Sequence, residues 1–385
     1  MYLQEFATEM DVFIAGAGPA GMACAIASAL RGLNVHVADA MEPPIDKACG
    51  EGLLPDAVES LASLGIDLVH SHDIHDSSEA HPLRGIRFLG DRGVSAQAVF
   101  NAQGFGIRRT VLHKLLFDQA TALGVQFHWK NSVQGIEPGS TGIVVRTNRQ
   151  LLRTRFLVGA DGHHSRIASW AGLTEAVVRS RRIGLRQHYN IAPWTDFVEV
   201  HWSNFGQAYV TPNSAGEVCV AFVANKKFAS AEQALSHFPA LRHHLSASQP
   251  CDPSRGSITL SRKLRRVTTG NIALIGDASG SVDAVTGEGL GLCFRQAKAL
   301  ASALRDGNLA LYQQAHRRIQ RLPSLMSGSL LLMDRSPLLR DIALRTLQSK
   351  PSLFERLLQV HIGHSPLQFL DDDGLLGTGL HVLIS

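Results

Sequence analysis

The segment Gly16-Ala17-Gly18-Pro19-Ala20-Gly21 spaces three glycines as contact between a main chain and a diphosphate requires. Gly16 permits a tight turn, Gly18 lets the backbone approach a pyrophosphate, and Gly21 allows a helix to lie close against a strand. Pro19 and Ala20 open that helix, whose N-terminal amides face the phosphate charge. Asp39, eighteen residues beyond Gly21, is placed at the end of the next strand to accept hydrogen bonds from a ribose diol. A glycine-rich turn without a ligand is the bland alternative, outweighed by the order strand, turn, helix, strand, acid. Taken alone, the motif suits NAD and FAD equally.

Other segments carry chemistry of their own. Gly276-Asp277-Ala278-Ser279-Gly280 follows the apolar run IALI, 260 residues after Gly16, and precedes the turn Thr286-Gly287-Glu288-Gly289 and Leu290. Gly159-Ala160-Asp161-Gly162, followed by Ser165, closes another strand, and Arg109 stands at a helix start, where by itself it would read as a surface arginine. Cys49 is flanked by small residues in Lys47-Ala48-Cys49-Gly50-Glu51-Gly52; a buried small side chain is preferred over a thiol that tunes a cofactor or faces substrate. The run His70-Ser71-His72-Asp73-Ile74-His75-Asp76 has the composition of a metal site, but a solvated polar loop is preferred, so no metal is expected.

Together with GAGPAG, the Gly276-Asp277 pair and the Thr286–Gly289 turn resemble the flavoprotein superfamily of aromatic hydroxylases (the p-hydroxybenzoate hydroxylase type), flavin halogenases and geranylgeranyl reductases. The resemblance covers most of residues 10–305 and implies an FAD-dependent oxidoreductase. It implies that Asp277 contacts the ribityl chain, that Gly287, Gly289 and Leu290 lie against the isoalloxazine ring, and that Asp161 and Arg109 contact the cofactor. Amides at the start of the helix near Gly289 would then stabilise negative charge on the pyrimidine side of reduced flavin. Arg166 follows Ser165 directly, and Ala168 stands where many members carry arginine. The Lys47–Gly52 segment is similar to that of geranylgeranyl reductase-like proteins, and Gly280 and Ala284 replace a histidine and a proline usual in hydroxylases. Conversely, Gln207-Ala208-Tyr209-Val210-Thr211-Pro212 replaces the tryptophan-containing strand and Phe-Pro pair usual in the reductases, and the halogenase tryptophan motif is absent.

The activity so implied is that of an NADH- or NADPH-dependent monooxygenase hydroxylating an aromatic or polyketide-like small molecule through a flavin C4a-hydroperoxide. A reductase of carbon-carbon double bonds acting on an isoprenoid substrate is the alternative, and a flavin-binding protein without turnover the third reading. The flavin carries the chemistry, and the candidate side chains beside it are Cys49 and Tyr209, where the ring meets the sheet.

Positioning these residues requires an α/β architecture: a Rossmann-type FAD-binding domain interleaved with an antiparallel-sheet substrate domain, plus C-terminal helices. DVFIAG, the helix from Gly18 to Arg31 and LNVHVAD form a βαβ unit with parallel strands. Alternating stretches such as DFVEVHW and GEVCVAFVA, separated by the turn-like TPNSAG, predict an antiparallel sheet between Ile183 and Val223. The expected limits are 8–80, 105–180 and 265–308 for the FAD domain, 81–104 and 181–264 for the substrate domain, and 309–385 for the helical region. Leucines at helical spacing in that last region are read as core in preference to a peripheral membrane contact.

Composition narrows the function classes. With 385 residues, 45% hydrophobic and 18% charged, the chain suits a globular protein of more than one core. A net charge of +4 without dense basic runs excludes a nucleic-acid footprint. The cysteines, Cys24, Cys49, Cys219, Cys251 and Cys293, are odd in number and lack CxxC spacing, as expected in a reducing cytoplasm. MYLQEFATEM lacks the basic start and apolar stretch of a signal peptide, and no apolar run reaches membrane-spanning length, so a cytoplasmic protein is expected.

Overall fold

The computed structural model describes residues 10–70, 79–91, 93–139 and 142–363. The Ser71–Asp76 part of the histidine run and the 364–385 part of the expected C-terminal helical region lie outside them. Along the chain come β1 (Met10–Ala15), α1 (Pro19–Ala29), β2 (Val35–Ala38), β3 (Gly52–Leu53), α2 (Pro55–Ala62), β4 (Ala80–Leu89), β5 (Ser95–Ile107), α3 (Arg109–Ala122) and β6 (Gln126–His128). There follow β7 (Val133–Pro138), β8 (Ile143–Thr147), β9 (Leu151–Gly159), α4 (Arg166–Trp170), β10 (Ala176–Asn190), β11 (Phe197–Trp202), β12 (Gly206–Ser214), β13 (Glu217–Ala224), α5 (Ala231–Leu235) and α6 (Pro239–His244). Among the described residues there remain β14 (Arg255–Leu264), β15 (Thr268–Thr269), β16 (Ile272–Leu274), β17 (Gly280–Ser281), α7 (Gly289–Arg305), α8 (Leu309–Arg335), α9 (Pro337–Ser349) and α10 (Pro351–His361).

The first sheet has the order β15-β16-β9-β1-β2-β6, with β8 attached to β9 and β7 to β8. Its central strands run parallel, β1 pairing with both β2 and β9. Such strands are covered on both faces, which is why β1 reads as an unbroken apolar run. Helix α1 is alanine-rich and buried almost all round, its small side chains letting it fit between the sheet and α7. Proline at its first position lacks the amide that has no partner at a helix start.

The second sheet has nine strands in the order β17-β14-β10-β13-β12-β11-β4-β5-β3. Between Ile183 and Val223 the pairings are antiparallel as expected, whereas β11 pairs in parallel with β4, which comes from much earlier in the chain. The TPNSAG turn is also shorter than the composition suggests: Thr211–Ser214 continue β12, and a register shift between Pro212 and Ser214 accommodates the proline. The expected limits at 104/105 and 180/181 cut through β5 and β10, both of which belong to this sheet.

The C-terminal helices tie the sheets together. The first half of α8 docks on the parallel sheet, Tyr312 Oη donating to Leu274 O at 2.9 Å and His316 Nε2 lying 2.9 Å from Ser279 Oγ. Its second half, beyond Pro323, crosses with α9 and α10 over the second sheet, where Leu347, Leu353, Phe354 and Leu358 pack on Leu83, Ala98 and Val198. No helix among the described residues is long and apolar enough to cross a membrane.

Candidate active site

A cavity of about 1210 Å³ lies between the two sheets. One end is formed by main chain. The first turns of α1 and α7 both reach its wall, and neither helix has a side-chain hydrogen bond over its N-terminus. Gly162, Gly287 and Gly289 border open space in which a Cβ would meet nothing within 4 Å, and at Gly18 it would meet only the Arg109 guanidinium, 4.0 Å away. Two polar atoms on the same wall, Arg109 Nε and Asp161 Oδ1, are buried without a hydrogen-bond partner. Free amides, an unsatisfied cation and space where side chains are missing fit a long dinucleotide laid against the strand ends.

The structure gathers most of the sequence-predicted residues there. Gly18, Pro19, Ala20, Arg109, Asp161, Gly276, Asp277, Gly287, Gly289 and Leu290 all line the cavity, as do Cys49 and Tyr209. Gly16 and Gly21 stand behind the wall. Gly16 has φ +113 and a Cβ there would overlap the Ala160 carbonyl, while a Cβ on Gly21 would overlap the Gly16 carbonyl. Asp39 also lies behind it: its Oδ2 accepts from Ala17 N at 2.8 Å and its Oδ1 from Met41 N at 2.9 Å, so the carboxylate braces the turn. On the other side, buried His113 Nε2 donates to Ala17 O at 2.9 Å.

Several side chains have jobs that their spacing alone does not reveal. Asp161 Oδ2 accepts from the amides of Arg166 and Ile167, and Ser165 Oγ from Ala168 N, so both cap α4. The Arg166 guanidinium stacks on Trp170, 4.7 Å from the ring centroid. Asp277 pairs with His163 Nδ1 at 3.2 Å. Tyr209 Oη donates to Val285 O at 3.0 Å, and burial pushes its pKa up. Its proton is thus committed to the glycine turn. The Cys49 thiol is also pushed up, by burial before all else, against the opposing charge of Arg109. It is a neutral thiol on the cavity wall.

Two buried groups beside the turns went unread in the sequence. Arg182 Nη1 meets Asp283 Oδ1 at 3.0 Å, and the same oxygen accepts from Val285 N, which ties the 283–287 turn to the second sheet. Glu288 is buried behind that turn without hydrogen-bond partners, 3.6 Å from Arg295 Nη2 and 3.7 Å from His361 Nδ1. Burial raises its pKa despite the nearby Arg295 guanidinium. His361 Nε2 in turn donates to Thr286 O at 2.9 Å.

The other end of the cavity is apolar. Leu325, Met326, Leu330 and Met333 of α8, Ile342 and Ala343 of α9, and Phe354 and Leu357 of α10 face Ile86, Val198 and Val200 across it. The C-terminal leucines therefore wall a chamber as well as packing a core.

A family model described as FAD binding domain matches residues 9–317. The chain is 25% identical over 322 residues to digeranylgeranylglycerophospholipid reductase 2 of Methanosphaera stadtmanae, spanning 78% of this chain and 80% of that protein. It is 27% identical over 328 residues to the menaquinone reductase of Mycolicibacterium smegmatis, spanning 80% and 79% of the two. Its fold is similar to that of the p-nitrophenol 4-monooxygenase of Pseudomonas putida DLL-E4, with a TM-score of 0.76, 16% identity and coverage of 89% and 93%. Since the matched segment includes every strand of the parallel sheet and the wall of the cavity from Gly18 to Leu290, this chain belongs to the FAD binding domain family of FAD-dependent oxidoreductases.

Proposed function

We propose that the chain reduces carbon-carbon double bonds of an isoprenoid substrate, with FAD along the glycine-rich end of the cavity and the hydrocarbon in the apolar end. The observation that carries this reading is the continuity of the two ends. The cavity exceeds the roughly 300–1,000 Å³ typical of a small-ligand pocket, which leaves room for a long chain beside a cofactor. Digeranylgeranylglycerophospholipid reductase is named for an isoprenoid lipid, and the proposal carries that substrate class over to this chain.

When bound, FAD supplies the two-electron chemistry, with NADH or NADPH as the source of hydride. The rest falls to the chain. Gly18 and the first amides of α1 would hold the pyrophosphate, Asp39 would brace the turn that presents them, Arg109 and Asp161 would meet the adjoining polar groups, and Asp277 the ribityl hydroxyls. Gly287, Gly289 and Leu290 present the N-terminus of α7 to the electron-rich edge of the ring. Leu330, Ile342, Phe354 and their neighbours exclude water and hold the hydrocarbon.

The test is anaerobic incubation of the FAD-loaded protein with reduced nicotinamide and a geranylgeranyl lipid, read by mass spectrometry. A product heavier by two hydrogens per saturated bond is expected. Insertion of one oxygen atom into an aromatic compound in air, with no saturation of the lipid, would replace the proposal by the monooxygenase reading. Absence of both reactions would leave a flavin-binding protein without turnover.

A further inference from the structure

Behind the Cys49–Gly52 loop, away from the glycine turns, lies a buried chain of titratable groups with one end on the cavity and the other at the surface. Glu51 lines the cavity yet is only 1% exposed, and it holds φ +60, a left-handed conformation that a glutamate rarely adopts. Oε1 accepts from Arg109 N at 2.9 Å, while Oε2 accepts from Asn213 Nδ2 and meets His188 Nε2 at 2.6 Å. His188, also 1% exposed, has Nδ1 2.7 Å from Asp252 Oδ2, and the Asp252 side chain is 20% exposed.

We propose that Asp252, His188 and Glu51 form a proton relay from solvent to the cavity wall, delivering the proton consumed when a double bond is reduced. The proposal rests on the reductase reading. Saturating one double bond places a hydride, which carries both electrons and originates in reduced nicotinamide, on one carbon and a proton on the other. The π bond breaks and two C–H bonds form. His188, protonated on both nitrogens, passes its Nε2 proton to Glu51 Oε2; exchange of the remaining ring proton from Nδ1 to Nε2 then frees Nδ1 to take a replacement that Asp252 relays from water, which restores the doubly protonated ring. Glu51 gives up its proton at the cavity wall, so each turnover draws one proton from solvent.

The surroundings suit an imidazole that carries a proton. Burial alone would lower the His188 pKa, but the hydrogen bond to Glu51, the charge of Glu51 and the bond to Asp252 raise it above its ordinary value. Arg186 opposes that, its Nη1 lying 2.6 Å from His188 Nδ1, and is itself engaged by Asp46 and Asp252 at 2.8 and 3.0 Å. Arg108 pairs with Glu217 and lies 4.0 Å from Asp252. The thiols of Cys49, Cys219 and Cys251 complete the surroundings, all pushed up by burial and so neutral. Cys219 places a third donor atom within 4.8 Å of Glu51 and His188. Yet the 2.6 Å between Nε2 and Oε2 is a hydrogen-bond length. Two ligands of one zinc would stand roughly 3.3 Å apart at ordinary bond lengths.

The relay is tested in two ways. In ¹⁵N NMR of the protein without cofactor, His188 should carry protons on both nitrogens at neutral pH, and Asp252→Asn should slow exchange of the Nε2 proton at least ~10-fold. In turnover, His188→Gln should slow the double-bond step at least ~10-fold more than the preceding reduction by nicotinamide, and flatten its pH profile. A purely structural role would slow both steps alike. Exchange unchanged in Asp252→Asn, equal slowing of both steps, or a stoichiometric metal lost on His188→Gln would each overturn the relay. Wild-type protein with the expected exchange but no double-bond reduction would overturn the reductase reading alone.

Discussion

Around the glycine-rich end of the cavity the chain offers main chain, from turns whose side chains have been removed at Gly18, Gly162, Gly287 and Gly289. Around the other end it offers side chains, from three helices whose backbones are satisfied within themselves. The first surface recognises charge through amides fixed in direction and tolerates almost no added atoms. The second excludes water through bulk, and its shape is set by whichever side chains meet across it. A ligand with a charged end and a hydrocarbon end would be held by both at once, each by the physics it needs.

The difference can be broken most severely at the glycine turn. Gly21→Ala places a Cβ on the Gly16 carbonyl oxygen, and we expect a loss of about 3 kcal/mol or more with little folded protein recovered, measured by thermal unfolding. Gly18→Asp, whose Cβ meets only Arg109, should fold yet bind FAD ~100-fold more weakly by fluorescence titration, because its carboxylate stands where phosphate would. Full FAD occupancy in that variant would remove the dinucleotide assignment. A milder intervention sharpens the comparison from the other end. Ala343→Trp fills the apolar chamber and should lower kcat/KM for a geranylgeranyl lipid ~10-fold while leaving FAD content intact. Loss of FAD in Ala343→Trp would mean that the two ends are not separable.

The smallest effect concerns the buried carboxyl behind the turn. Because the folded state raises the Glu288 pKa, ionisation favours the unfolded chain as pH rises past the ordinary glutamate value of 4.5, and stability is lost from there upward. Glu288→Gln removes that loss. The variant should match wild type near pH 4 and exceed its Tm by about 1–3 °C at pH 7. A lower Tm at pH 7 would show that the pairing with Arg295 and His361 outweighs burial.

What the sequence disclosed follows the same division. Turns that demand φ near +113 at Gly16, +59 at Gly276 and +69 at Gly287 select glycine locally, so they were visible without the fold. Glu51 also has positive φ, but it is not a glycine, and its partner His188 and the Asp252 beyond it come from 137 and 201 residues away. No local pattern announces such a meeting. The C-terminal leucines were legible as helices, whereas their role as a chamber wall was not, since the same spacing serves a packed core. Tyr209 lines the cavity, but its engagement with Val285 depends on a turn 76 residues later. The parallel pairing of β11 with β4 was hidden for the same reason.

The strand order of the first sheet has a consequence for how the protein is made. β1 is flanked by β2 and β9, β16 lies beyond β9, and the turns carrying Gly276 and Gly287 come later still. On the ribosome, the GAGPAG turn emerges early and waits for the strand ending at Gly159 before β1 has both neighbours. The second glycine turn is synthesised only when about three quarters of the chain has been made. Until the strand ending at Gly159 has been made, β1 presents an unpaired parallel edge. On the proposed assignment, loading is a late checkpoint: a chain truncated before Gly276 has the GAGPAG turn but lacks the part of the cavity wall that Gly276, Asp277 and the Thr286–Gly289 turn supply.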